Sequence, residues 1–124
     1  MSKIFNAFAA LVLCSQTLFA APSIFVETPE DAFALAEEVK LDVLLIFSAD
    51  WCQYCNLLKE AINGDPEMIS DTIICFIDYD KRMDLVKEYK VKTIPDSFVY
   101  RNKKEIKRKT GFKNKKDYIE WLNK

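Results

Sequence analysis

The stretch Val43-Leu44-Leu45-Ile46-Phe47-Ser48-Ala49-Asp50-Trp51-Cys52-Gln53-Tyr54-Cys55 decides the reading of this chain. Its first five residues are apolar without alternation, which marks a short strand buried on both faces. Asn56-Leu57-Leu58-Lys59-Glu60-Ala61-Ile62 follows with helical spacing. Two cysteines separated by two residues therefore fall where a central strand gives way to a helix. The free N–H groups and dipole of a helix N-terminus favour negative charge. A thiolate at Cys52 is stabilised there, its pKa drawn from about 8.5 into the range of roughly 3.5–7.5. Cys55 lies about one turn further on and can reach back to the Cys52 sulfur. One cysteine can then attack a disulfide and the other can resolve the mixed disulfide.

Composition narrows the alternatives. The chain has 124 residues, no histidine, four cysteines, two glycines and a formal net charge of −1. That length suits one domain with a modest core. The charge implies no nucleic-acid partner. Without histidine there is no Cys-His or Ser-His nucleophile pair and no imidazole ligand for a metal. Structural zinc wants four ligands, whereas beyond the leader only Cys52, Cys55 and Cys75 remain, so no metal and no cofactor are expected. A static Cys52–Cys55 disulfide is the other alternative, but so short a loop gains little from closure. Cys75 lies within an apolar strand, where a cysteine usually serves as a small hydrophobe.

Residues 1–21 read as a signal peptide and 22–124 as the folded domain. Lys3, the apolar run Ile4–Leu13 broken by Asn6, and Ser15-Gln16-Thr17 before the small Ala20-Ala21 have the order of a cleavable leader. The apolar core falls short of the about 20 residues that cross a bilayer. The alternative is an uncleaved tether; Cys14 follows Leu13, which does not suit lipid attachment.

In the domain, Ser23–Val26 reads as an edge strand. Thr28 caps a helix with Pro29 at its first position. Strand Asp42–Ser48, the cysteine turn and its helix follow, with Tyr54, Leu57, Leu58, Ala61 and Ile62 assigned to the core by spacing. Asn63-Gly64 ends that helix, and Asp65 caps a short piece. Thr72–Tyr79 reads as a second central strand and Arg82–Tyr89 as a short helix. Ser97–Tyr100 and Glu105–Thr110 form a hairpin around residues 101–104, and Asn114 caps a last helix.

Trp51-Cys52-Gln53-Tyr54-Cys55, with Thr93-Ile94-Pro95 and Gly111-Phe112 downstream, resembles the thioredoxin superfamily over residues 24–124, most closely its secreted or periplasmic domains. The resemblance implies an α/β fold of order βαβαβαββα with a central mixed sheet flanked by helices. It implies a cis Ile94–Pro95 bond facing the cysteines, and a substrate chain that pairs with the backbone before the proline as an added strand would. Trp51, Ile94, Pro95 and Phe112 become substrate-binding residues, and Cys52–Cys55 the redox-active disulfide. Two departures stand out. The family's buried aspartate and its neighbouring lysine correspond here to Ile46 and Phe76, leaving an apolar floor without a proton acceptor for Cys55. The family's strong oxidants and many of its isomerases carry a histidine between the cysteines, and Gln53-Tyr54 supplies no such charge.

The expected activity is that of an exported thiol–disulfide oxidoreductase acting on protein thiols and disulfides, in a bacterial periplasm, more reducing than oxidising. It would exchange electrons with an upstream protein, bind no nucleic acid, insert no stable membrane segment after leader removal and act as a monomer. The alternatives are a redox-inert module that docks extended peptides and a disulfide isomerase. Between Arg101 and Lys116 stand nine Lys or Arg and one acid, Glu105. This reads either as a solvated surface or as a basic face for an acidic protein or anionic lipid.

Overall fold

A computed structural model describes residues 21–124; all of the proposed leader 1–21 but Ala21, and with it the Cys14 question, lies outside the described residues. The elements are β1 (Ile24–Val26), α1 (Pro29–Val39), β2 (Asp42–Ser48), α2 (Gln53–Gly64), β3 (Thr72–Asp78), α3 (Met83–Glu88), β4 (Asp96–Arg101), β5 (Lys104–Thr110) and α4 (Lys115–Asn123), with a 3-10 turn at Pro66–Met68. This is the expected βαβαβαββα order. The five strands form one sheet in the order β1-β3-β2-β4-β5. β1, β3 and β2 run parallel, and β4 and β5 complete the sheet antiparallel. Among the described residues no helix is long and apolar enough to cross a membrane.

β2 lies in the middle because both its faces are apolar. Val43, Leu45 and Phe47 join the core on the side of α1 and α3, while Leu44 and Ile46 join the core under α2 and α4. All five are at most 1% exposed. Each such side chain stabilises the fold by roughly 1.5–3 kcal/mol through burial, more than any local propensity in the strand supplies. Tyr118 anchors α4: fully buried, it donates its hydroxyl to Ser97 Oγ on β4 at 2.8 Å.

Local chemistry sets the boundaries. Thr28 Oγ1 accepts the Asp31 N–H at 3.1 Å, and Asn114 Oδ1 accepts the Asp117 N–H at 2.8 Å. Asn102 and Lys103, both at positive φ (51° and 65°), make the two-residue turn of the β4–β5 hairpin, a type I′ geometry matched to strand twist.

α2 ends at Gly64, as expected, and two expectations need correction. Asp65 makes no side-chain cap, because Lys115 Nζ draws its carboxylate away at 2.6 Å and holds it below the usual carboxylate range. Tyr54 and Leu57 are 58% and 42% exposed, leaving Leu58 and Ile62, with Cys55, as the buried residues of α2. α2 starts beyond the end of β2, so its first turn has less sheet to pack on than helical spacing suggests.

Most of the basic stretch is occupied internally. Arg101 pairs with Asp42, Lys103 with Glu37, Arg108 with Asp96, Lys109 with Asp117 and Lys115 with Asp65. Lys107 Nζ caps the end of α4 by donating to the Trp121 and Leu122 carbonyls at 3.1 and 2.7 Å. The solvated reading of this segment therefore fits better than a basic docking face.

Candidate active site

The turn after β2 is built by short-range bonds. The Cys52 N–H donates to Ala49 C=O at 3.1 Å, and Asn56 Nδ2 donates to Asp50 C=O at 3.0 Å. Cys52 is itself the N-cap of α2, with extended backbone, and its sulfur accepts the Cys55 N–H at 3.3 Å. A sulfur thus occupies the place where a serine or aspartate oxygen commonly caps a helix. When reduced, it is held where donors and dipole favour the thiolate. The two cysteines are joined as a disulfide, with Cα atoms 5.2 Å apart.

Burial separates their roles. Cys52 is 7% exposed and Cys55 fully buried, so an incoming sulfur meets Cys52 first. The pair packs with Ala49, Tyr79 and Ile94. Opposite it, the Ile94–Pro95 bond is cis, and Ile94 C=O lies 3.7 Å from Cys52 Sγ, a contact in which a reduced Cys52 thiol is the donor. Trp51 stands 68% exposed beside the pair, its indole N–H donating to Asp80 Oδ2 at 2.8 Å. Phe112 lies instead in the core under α2 and α4, its ring 5.9 Å from that of Tyr118. Of the sequence-derived site residues, Cys52, Cys55, Trp51, Ile94 and Pro95 thus gather at one end of β2, whereas Phe112 is partly buried against the core under α2 and α4.

Tyr79 and Asp80 are neighbours of the site that sequence reasoning did not single out. The available signal was positional: both follow β3 at the carboxyl end of the parallel strands, where loops converge, and an exposed indole N–H seeks an acceptor. Ile46 is fully buried in the core under α2 and α4. Phe76 is only partly buried, and Lys59 Nζ lies 5.1 Å from its ring centre. A cation therefore borders a floor expected to be uncharged. Cys75 sits apart, in the core beside α1; burial pushes its thiol up to about 12, so it stays protonated and unreactive at neutral pH.

This arrangement defines a class of chemistry, the exchange of a dithiol for a disulfide. Attack by the Cys52 thiolate on a client disulfide forms the Cys52–client bond and releases one client thiolate. Attack by Cys55 on Cys52 Sγ closes the internal disulfide and releases the second. Two electrons pass from the pair to the client, and the reverse sequence oxidises a client dithiol.

The family model described as Thioredoxin matches residues 25–124, so the chain belongs to the thioredoxin family and is a thiol–disulfide oxidoreductase. It is 28% identical over 88 residues to a thioredoxin of Rickettsia typhi, covering 70% of this chain and 84% of that protein. It is 34% identical over 74 residues to thioredoxin H2 of Arabidopsis thaliana, covering 60% of this chain and 54% of that one. The crystal structure of Trxlp from Edwardsiella tarda superposes with a TM-score of 0.69 at 20% identity, over 79% of this chain and 97% of that one, a likeness of fold.

Proposed function

We propose that the protein is exported through cleavage of residues 1–21 and reduces disulfides of other proteins outside the cytoplasm, in a bacterial periplasm. In this role Cys52 attacks, Cys55 resolves, and Trp51, Ile94 and Pro95 receive the client chain. The observation that carries the reading is the placement of a slightly exposed Cys52 sulfur 3.7 Å from Ile94 C=O, above a fully buried Cys55. A client segment lying along Ile94–Pro95 brings its disulfide to Cys52 and not to Cys55. Export is supported by the leader-like order of residues 1–21.

Two measurements on protein expressed with its native leader test this. N-terminal sequencing of the exported chain is expected to begin at Ala21 or Pro22, and the purified chain is expected to reduce insulin catalytically with dithiothreitol as donor. An intact Met1 contradicts cleavage. Absence of turnover in the presence of peptide binding points instead to a redox-inert docking module.

A further inference from the structure

The residue after the cis-proline, Asp96, is an aspartate with no exposed surface. A buried carboxylate is tolerated only when paired and hydrogen-bonded. Its partners come from β5: Arg108 donates Nη2 to Oδ2 at 2.7 Å and Nε to Oδ1 at 3.3 Å, and Thr110 Oγ1 donates to Oδ1 at 3.0 Å. This is the two-pronged geometry that a guanidinium offers and an ammonium cannot. The same Arg108 Nη2 donates to the Lys90 carbonyl at 3.2 Å, and the guanidinium lies 4.6 Å from the centre of the Phe98 ring. Lys90 and Asp96 flank the segment Val91–Pro95, which carries Ile94 C=O to Cys52. Arg108 therefore grips both flanks of the loop that faces the cysteine pair, while the Gly111 N–H, donating to Pro95 C=O at 2.7 Å, holds its last residue.

We propose that the Asp96–Arg108 pair is a positioning clamp for the docking loop Val91–Pro95, setting how well a protein disulfide, as opposed to a small one, is presented to Cys52. The inference rests on Ile94–Pro95 being the docking edge. An extended client chain needs the Ile94 backbone held in place, whereas a small disulfide needs only the Cys52 sulfur. Loosening the loop should then raise KM for the first and spare the second.

The test compares wild type with Arg108→Lys, which keeps the charge and loses the fork, with Asp96→Asn, and with the double variant Asp96→Asn/Arg108→Gln, which leaves no unpaired charge should Asp96→Asn alone fold poorly. All are assayed well below their melting temperatures. Amide hydrogen exchange at Val91 and Gly111, whose N–H groups donate to Val86 C=O at 2.9 Å and to Pro95 C=O at 2.7 Å, is expected to accelerate while β2 stays protected. KM for insulin should rise about tenfold, a modest share of what an ångström of misplacement can cost. The rate with 2-hydroxyethyl disulfide should stay within about twofold, since that reaction depends on the thiolate alone. Loss of stability alone would slow both substrates alike and would not split KM between them. Unchanged exchange at Val91 and Gly111 overturns the clamp. Accelerated exchange with an unchanged insulin KM also overturns the proposal, and locates the failure in the docking role of Ile94–Pro95 rather than in the clamp.

Discussion

Cys55→Ser arrests the exchange halfway. The variant keeps the Cys52 sulfur at the N-terminus of α2, so attack on a client disulfide proceeds. Without the buried partner sulfur, the mixed disulfide has no internal route to resolution. Covalent adducts with clients are expected to accumulate, visible on non-reducing gels and removed by dithiothreitol. Cys52→Ser leaves only a fully buried thiol, and few adducts are expected. Turnover with insulin should fall at least about a hundredfold in both variants, as for any pair of residues that act as a unit. Equal trapping by the two variants contradicts the division of labour read from their burial.

Ile46→Asp is expected to have opposite effects on stability and on rate. Ile46 is fully buried among the side chains that α2 and α4 place on the sheet, and it faces Phe76 on β3 and Ser97 on β4. Replacing it removes apolar packing and introduces a carboxylate among groups that offer little solvation. A cost on the order of several kcal/mol follows, or protonation of the new acid; against a typical total of about 5–15 kcal/mol, that cost is severe. The new carboxylate would meet the Ser97 hydroxyl across the strand pair and would supply a proton acceptor on the floor beneath Cys55. Desolvation raises a thiol's pKa, so the wild-type resolving step should accelerate as pH rises through neutrality. In the variant that dependence should flatten, with faster resolution near pH 7. Stopped-flow reduction of a model disulfide, alongside urea unfolding, checks both parts. No gain in rate in the folded variant means that another group already serves Cys55; Asp50 and Lys59, which reaches the ring of Phe76 from α2, are the first to substitute.

What the sequence makes legible here is whatever depends on neighbours in the chain. The uninterrupted apolar run of β2, the cysteine spacing at the start of α2, and the Thr28 and Asn114 caps all express themselves within a few residues. Ile94–Pro95 is legible through resemblance, and the structure bears out its cis bond. Features decided across the fold are not legible in this way. Arg101 and Asp42 are 59 residues apart, and their pairing arises only once β4 lies beside β2. A run of positive residues therefore reads as a candidate basic face until its acids come from α1, β2, β4 and α4. The exposure of Tyr54 and Leu57 is of the same kind: helical spacing names a face, but the reach of the sheet decides which turns of that face are covered. The burial of Asp96 becomes intelligible only when β5 brings Arg108 and Thr110 alongside β4.

The reducing direction of the pair is the central claim, and the equilibrium reduction potential of Cys52–Cys55, measured against glutathione or dithiothreitol buffers, tests it most directly. The two residues between the cysteines, Gln53 and Tyr54, are both exposed and bring no positive charge to the Cys52 thiolate. A less stabilised dithiol form favours the disulfide and makes the pair a stronger reductant. A value near that of thioredoxin, about −270 mV, is expected, and one near the roughly −120 mV of the strong oxidants of this fold would overturn the reducing role.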